Sequence, residues 1–168
     1  MKKTPSKSQI FLAQLVLALM IGFVIIGVVM YGLSVPVFER IWHNLLERPG
    51  GPMTFRFYLQ PTMAAIAALL DGLRDARAGR TPYFWTIVTN PAKRVARLDE
   101  GLIATARVLL LGLGMDLIYQ YVVFDTFHPA EAVIVAVMLA FLPYLVMRGT
   151  VTRVARRWLG DVPPKETP

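Results

Sequence analysis

Cysteine is absent from this chain of 168 residues, and histidine occurs only 2 times. Without cysteine the chain forms no disulfide and offers no thiolate nucleophile, zinc thiolate ligand or iron–sulfur cluster ligand. The GxSxG, HExxH, P-loop and GxGxxG motifs are missing as well, and no nucleophile, base and orienting group occur at a recognisable spacing. These absences predict a protein that is not an enzyme and that holds no cofactor.

Charged residues are missing from long stretches of the chain. Hydrophobic residues make up 55% of the sequence, against roughly 45–50% in soluble domains. A helix needs about 20 apolar residues to cross a bilayer core, and four stretches approach or exceed that length: residues 10–33, 57–73, 102–124 and 130–147. The sequence therefore predicts an all-α, polytopic membrane helical bundle with four transmembrane helices, which forms a single membrane domain over residues 1–168.

The first apolar stretch, residues 10–33, has the positively charged start of a signal peptide, since Lys2, Lys3 and Lys7 precede it. A signal peptide has an apolar core of only about 7–15 residues, which ends at a small-residue cleavage site. The run here is about twice that length, and no persuasive cleavage site follows it. We therefore expect an uncleaved first span.

Amphipathic segments flank the predicted spans. Residues 36–48 carry apolar side chains on one side and polar ones on the other, with Trp42 suited to the headgroup depth. This pattern predicts a helix that lies in the membrane interface. The C-terminal tail, residues 148–168, begins with a second amphipathic piece and ends in a proline-rich segment.

The connector between the second and third spans, residues 74–101, is basic and has a short aromatic core. That core is too short to cross a bilayer, so we expect it to rest in the interface. Asn90 followed by Pro91 predicts a helix start, and the helix is expected to continue into the third span with a bend at Gly101.

Lysine and arginine are concentrated in the N-terminus, the 74–101 connector and the C-terminal tail. These three segments lie on one side of a four-span topology, which predicts that both termini are cytoplasmic. The net charge of +7 is thereby explained without a nucleic-acid partner, because no groove-reading motif accompanies it. The expected partners of these arginines are the bilayer and its anionic headgroups.

Asp116 lies inside the third predicted span, about 12 Å from its nearer end, and its side chain is too short to reach the headgroups. Tyr119 and Gln120 follow at i+3 and i+4, so both share its helix face. Two interpretations stay open. Asp116 is either a hydrogen-bonded structural acid that fixes helix packing, or a titrating group that handles protons or cations within the membrane.

Arg107 also lies inside this span, but nine residues of helix place it on the opposite face from Asp116. Asp71 near the end of the second span and Tyr144 on the fourth are expected at a similar depth. We therefore predict an intramembrane ion pair between Arg107 and Asp71, supported by Tyr144.

Small residues recur at four-residue spacing in two of the spans, where they allow helix backbones to approach closely in lipid. The predicted helix-packing residues are Ala64, Ala68 and Gly72 in the second span and Ala132, Ala136 and Ala140 in the fourth. These stripes serve either packing within the chain or association with another chain.

The two histidines are predicted on the same, non-cytoplasmic side, each with carboxylates nearby. His43 lies between Glu39 and Glu47, and His128 lies between Asp125 and Glu131. Imidazole and carboxylate can ligate a metal, and two imidazoles can hold a haem. The same residues equally fit the wet face of an interfacial helix and an ordinary helix start with an acid in its first turn. No metal is expected here, because neither histidine lies deep in a span.

Several segments carry a resemblance to a family of small, uncharacterised four-span inner-membrane proteins of bacteria. They are RFYLQP at residues 56–61, DGLRDARAGR at 71–80, DLIYQ at 116–120 and PAEAVIVAV at 129–137. The resemblance covers roughly residues 54–159. It implies the bacterial inner membrane and the four-span topology, and it implies no activity, ligand or catalytic residue.

These observations favour a non-enzymatic multi-pass membrane protein, acting as a packing, accessory or scaffold subunit of a homo-oligomer or a larger membrane complex. The first alternative is a small proton- or cation-linked transporter or channel centred on Asp116. The second is a metal or haem module that uses His43 and His128 on the periplasmic face.

Overall fold

The computed structural model describes residues 4–47, 50–51 and 53–159. Within these residues the chain is entirely helical, with no strand. The helices are α1 (Lys7–Tyr31), α2 (Val35–Glu47), α3 (Arg56–Arg77), α4 (Tyr83–Thr89), α5 (Pro91–Tyr119), α6 (Pro129–Ala136) and α7 (Leu142–Leu159). A π-helical turn, Gln120–Phe124, extends α5, and a second one, Val137–Phe141, joins α6 to α7. The predicted all-α class is confirmed.

Three helices in the described part of the chain are long and apolar enough to cross a membrane: Lys7–Tyr31, Pro91–Val123 and Pro129–Trp158. The last is one continuous rod of α6, the π-helical turn and α7. Helix α3 does not belong to this group, because its first residue and its last two turns carry charges. The second predicted span, residues 57–73, therefore stays a prediction.

The bundle has two distinct ends: α1 and α5 run towards one of them, and α3 and the α6–α7 rod run towards the other. The end that holds the turn between α5 and α6 also holds the end of α1, where the Tyr31 hydroxyl donates to the Phe127 carbonyl over 2.6 Å. We call it the turn end. At the opposite end, which we call the arginine end, Arg80, Arg97 and Arg148 surround Asp75.

The small-residue stripes of α3 and of the α6–α7 rod are buried between helices of this chain. Ala64, Ala68, Ala132, Ala136 and Ala140 are all 0% exposed. A Cβ added at Gly72 would lie 2.8 Å from Val151 Cγ1, so α3 and α7 meet there at the closest spacing that glycine allows. Of the two uses that the sequence left open, the stripes serve packing within the chain.

Helix α5 begins as the sequence predicts, since the Asn90 side chain caps it and Pro91 takes its first position. It then runs without interruption through Gly101, which lies inside the helix and not at a break. A Cβ at Gly101 would lie within 3.1 Å of Phe141 Cε2 and closer still to the Tyr83 hydroxyl. Gly101 therefore makes room for α4 to pack against α5.

Pro143 lies in the first turn of α7, directly after the Val137–Phe141 π-helical turn. Proline has no backbone N–H and its ring crowds the carbonyl four residues earlier. The π-helical turn is wider than an α-helical one, so it makes room for the proline ring and for the missing N–H of Pro143 without breaking the rod.

The interfacial segment predicted at residues 36–48 forms α2. Its apolar side chains Phe38, Trp42 and Leu46 are 56–63% exposed and point away from the bundle. Its polar side includes Asn44, which turns inward and donates to both carboxylate oxygens of Glu131 over 3.2 and 3.3 Å. One side of α2 is thus fixed to α6, and its apolar side is left on the surface.

Candidate functional site

Asp116 forms a buried salt bridge near the turn end of the bundle. Arg56, the first residue of α3, places its Nη1 atom 2.8 Å from Asp116 Oδ1, and both side chains are 0% exposed. Arg56 also lies over the ring of Tyr119, 4.9 Å from its centroid. The guanidinium therefore contacts a carboxylate and an aromatic face, which are the two surfaces that favour a desolvated arginine.

Gln120 binds the second oxygen of Asp116 and ties it to the turn. Its Nε2 donates to Asp116 Oδ2 over 2.7 Å and to the His128 carbonyl over 3.0 Å. Its Oε1 accepts the backbone N–H of His128 over 2.7 Å. The side chain thus replaces the backbone pairing that is lost where α5 ends and α6 begins.

The structure brings Asp116, Tyr119 and Gln120 together as the i, i+3, i+4 spacing predicted, and it adds Arg56, which the sequence analysis missed. A signal for Arg56 was present, because a carboxylate too deep to reach the headgroups calls for a cation on another helix. The start of α3 lies at the correct end of the bundle to supply it. A search of the basic residues at that end would have included Arg56.

A second buried acidic residue at the turn end, Glu131, is 1% exposed and lies in the first turn of α6. Asn44 of α2 donates to it, and the helix N-terminus favours its negative charge. Together with the Arg56–Asp116 pair, Glu131 makes the turn end a site at which four helices are joined by polar contacts.

The two histidines occupy separate environments. His128 is 9% exposed and stacks on the Tyr31 ring at 4.8 Å. His43 lies on the surface of α2, where its Nδ1 is 3.3 Å from Glu47 and its side chain is 70% exposed. In the described residues no three histidine, aspartate or glutamate side chains converge to hold a metal. Glu39 and Asp125 are both on the surface, so the metal or haem alternative gains no support.

The predicted ion pair between Arg107 and Asp71 is wrong. Asp71 accepts from Arg74 Nη1 over 3.0 Å, one turn along the same helix, and from the Tyr144 hydroxyl over 2.8 Å. Arg107 is exposed on the outer face of α5, which it shares with Leu111 and Ile118. The rotation of α5 that buries Asp116 turns Arg107 away from α3, and its long stem points towards the arginine end.

A second network, at the arginine end, is built around Asp75 of α3, which is 2% exposed. Arg148 of α7 places Nε and Nη2 each 2.8 Å from Asp75 Oδ2, and Arg80 lies 3.3 Å from Oδ1. Glu100 of α5 accepts from Arg97 over 3.0 Å and from Arg148 over 3.2 Å. The sequence analysis predicted the arginines of this network only as basic residues outside the spans, and it assigned no role to Asp75 or Glu100. Their contacts join α3, α5 and α7.

Tyr83 lies under this network and is 0% exposed. Its hydroxyl donates to the Arg97 carbonyl, and Arg148 lies over its ring, 4.2 Å from the centroid. Burial raises the pKa of Tyr83 to about 12, although the nearby Arg148 charge acts in the opposite direction. The phenol is therefore neutral at physiological pH and acts as a hydrogen-bond donor that holds α4 to α5.

Both networks hold charge that is neutralised by partners in the same chain. Removing one member of a buried pair leaves an uncompensated charge, which costs about 3–5 kcal/mol. Such a pair is well suited to fixing the register of two helices. It is poorly suited to proton transfer unless Arg56 moves away from Asp116.

No protein-family model, curated protein or solved structure matches the chain. The resemblance of residues 54–159 to a four-span family therefore stays an expectation.

Proposed function

We propose that this chain is a non-enzymatic multi-pass protein of a bacterial inner membrane that acts as a packing, accessory or scaffold subunit. The observation that carries the proposal is the Arg56–Asp116 salt bridge, 2.8 Å long and fully buried. It assigns a fully buried acid of the long apolar helices to holding α3 against α5. The buried polar and charged side chains of the bundle join its own helices, and apolar side chains cover its outer surface.

Placement in a membrane is supported by the three long apolar helices and by the outer surface of α3. Tyr58, Met63, Ile66 and Leu70 on that surface are 38–73% exposed. Such a row of exposed apolar side chains suits lipid, so we propose that α3 also crosses the membrane, as the second of four spans. The charges of α3 then lie at its two ends or inside the bundle.

Orientation follows from the arginine end, where the connector 74–101 and the end of α7 meet. We propose that this end is cytoplasmic, together with both termini, since lysine and arginine are retained on that side of bacterial membranes. The turn end, with Asp116 and the two histidines, then faces the periplasm.

A partner is proposed because helix α1 leaves most of its surface uncovered. Only Ala13, Val16 and Gly27 of its 25 residues are buried, while Phe11, Ile25 and Val29 are 57–79% exposed. Lipid or an apolar helix of a second chain can cover this surface. The second chain is either another copy of this protein or a subunit of a larger complex.

The second candidate function, proton or cation transfer through Asp116, rests on the depth of that acid and on the π-helical turn that begins at Gln120. π-Helical turns are frequent at functional sites. The two functions make opposite predictions for a double variant, Arg56→Gln/Asp116→Asn, which removes both charges and leaves a neutral, hydrogen-bonding pair.

The test combines native electrophoresis in a mild detergent with flux measurements in proteoliposomes. For a scaffold, both the wild type and the double variant migrate as assemblies larger than the 18.8 kDa chain, and neither conducts protons or cations above empty vesicles. Asp125→Asn, an exposed acid at the same end, serves as the matched control. Flux in the wild type that a folded double variant loses would establish the transporter instead.

A further inference from the structure

A groove of about 400 Å³ opens between α3 and α7 at the arginine end. Leu69 and Leu73 of α3 line one wall, and Val151, Val154 and Trp158 of α7 line the other. Its volume falls in the range of small-molecule pockets, roughly 300–1,000 Å³. The close contact of α3 and α7 at Gly72 and Val151 forms its inner limit.

The groove is apolar at its deeper part and has an arginine and a tryptophan at its outer end. Leu69 lies at its deeper part, and Arg77 lies about 12 Å further along α3, towards the end of the bundle. Trp158, 87% exposed, lies at the same outer end of α7. Apolar walls at depth with an arginine and a tryptophan at the mouth match the order of chain, phosphate and headgroup in a phospholipid.

Among the residues that the structure describes, the charged side chain that lines the mouth is positive. Of the described residues that line the groove, none is acidic. The nearest acids of α3 are engaged elsewhere, Asp71 with Arg74 and Tyr144, and Asp75 with Arg148. Arg77 forms no ion pair with any residue that the structure describes, and Arg153 and Arg157 are exposed on the same helix as Trp158.

We propose that this groove binds one anionic phospholipid of the surrounding leaflet. Its acyl chain lies between Leu69, Leu73 and Val154, and its phosphate is bound by Arg77 with the neighbouring arginines of α7. Basic pockets between helices on the cytoplasmic side are suited to such headgroups, and the anionic lipids of that leaflet supply them. The inference rests on the membrane placement proposed above and identifies the lipid class that stabilises the α3–α7 contact.

The experiment uses the full chain with Trp42→Phe and Trp85→Phe, so that Trp158 is the single tryptophan. The protein is reconstituted in phosphatidylcholine vesicles that contain a small fraction of phospholipid brominated on its acyl chain, with either a phosphatidylglycerol or a phosphatidylcholine headgroup. Bromine quenches only a neighbouring tryptophan. We expect brominated phosphatidylglycerol to quench Trp158 at about tenfold lower content than brominated phosphatidylcholine, because the choline cation of phosphatidylcholine offsets its phosphate charge and is repelled by Arg77. A tenfold preference corresponds to about 1.4 kcal/mol.

Two variants test the groove itself. Arg77→Gln should abolish the preference for the anionic headgroup, and Val154→Phe, which fills the groove from an exposed position, should reduce quenching by either lipid. Lys93→Gln removes one positive charge from an exposed site on α5 at the same end and should leave the preference unchanged.

Equal quenching by the two brominated lipids, or a preference that survives Arg77→Gln, would overturn the proposal. A change of oligomeric state in Val154→Phe with unaltered quenching would assign the groove to a second copy of the chain and overturn it as well. Flotation of the vesicles separates these results from a failure of the membrane placement, since a chain that is not inserted stays at the bottom of the gradient.

Discussion

The two buried ion networks of this bundle differ in how many partners share the charge. At the turn end a single arginine faces a single aspartate, and both are 0% exposed. At the arginine end three arginines share Asp75 and Glu100, and Glu100 is 37% exposed at its side chain. A single dry pair has no substitute when one member is lost, whereas a shared, partly wet network redistributes its charge. The Arg56–Asp116 pair therefore fixes helix register more strictly than the network around Asp75.

The largest expected effect is that of Asp116→Asn. The substitution retains the shape and a hydrogen-bonding group for Gln120, but it leaves Arg56 buried without its counter-charge. We expect a loss of about 3–5 kcal/mol in unfolding free energy, measured by detergent-induced unfolding in mixed micelles. The matched control is Asp125→Asn at the exposed turn, which should change stability by less than about 0.5 kcal/mol. Equal effects at the two positions would contradict the role of Asp116 as the buried counter-charge of Arg56.

An intermediate effect is expected from Asp75→Asn. Arg148, Arg80 and Arg97 lose their buried carboxylate but retain Glu100 and access to water, so we expect a loss of about 1–3 kcal/mol. Glu100→Gln, at the wetter position of the same network, should cost at most about 1 kcal/mol. The same unfolding measurement checks both. A Glu100 effect larger than that of Asp75 would show that burial does not govern this network.

The smallest effect concerns alkaline pH. The pKa of Tyr83 is raised in the folded state from 10.0 to about 12, so the neutral phenol stabilises the fold fully below pH 10, and that contribution is lost as the pH rises through about 12. The unfolding free energy of the wild type should therefore fall between pH 10 and about 12. Tyr83→Phe should make this fall smaller. It should also lower the unfolding free energy at neutral pH, because the hydrogen bond to the Arg97 carbonyl is lost. Tyr121→Phe, at an 80% exposed tyrosine, is the control. An unchanged pH profile in Tyr83→Phe would contradict this assignment.

Local features of the fold were predictable from the sequence because they depend on neighbours in the chain. The pairing of Asp116 with Gln120 follows from i, i+4 spacing, and the start of α5 follows from Asn90 and Pro91. The burial of Ala64 and Ala68 follows from their period of four, although the period does not tell which helix they meet.

The partners of Asp116 and Asp75 were not predictable in the same way. Arg56 reaches Asp116 only because α3 starts level with the last turn of α5, and this depends on how the intervening segment folds. Arg107 was predicted on the correct face relative to Asp116 but with the wrong partner, because apolar residues surround α5 on all sides and leave the rotation of α5 against α3 undetermined by hydrophobicity alone. Asp75 lies outside the apolar run, so its burial arises only where α3, α5 and α7 converge.

The central claim is that Arg56 and Asp116 neutralise each other to hold α3 on α5. The most direct measurement is a double-mutant cycle of unfolding free energies for the wild type, Arg56→Gln, Asp116→Asn and the double variant. We predict that the double variant is more stable than either single variant, with a coupling energy of at least about 2 kcal/mol. Additive effects, with a coupling below about 0.5 kcal/mol, would contradict the claim.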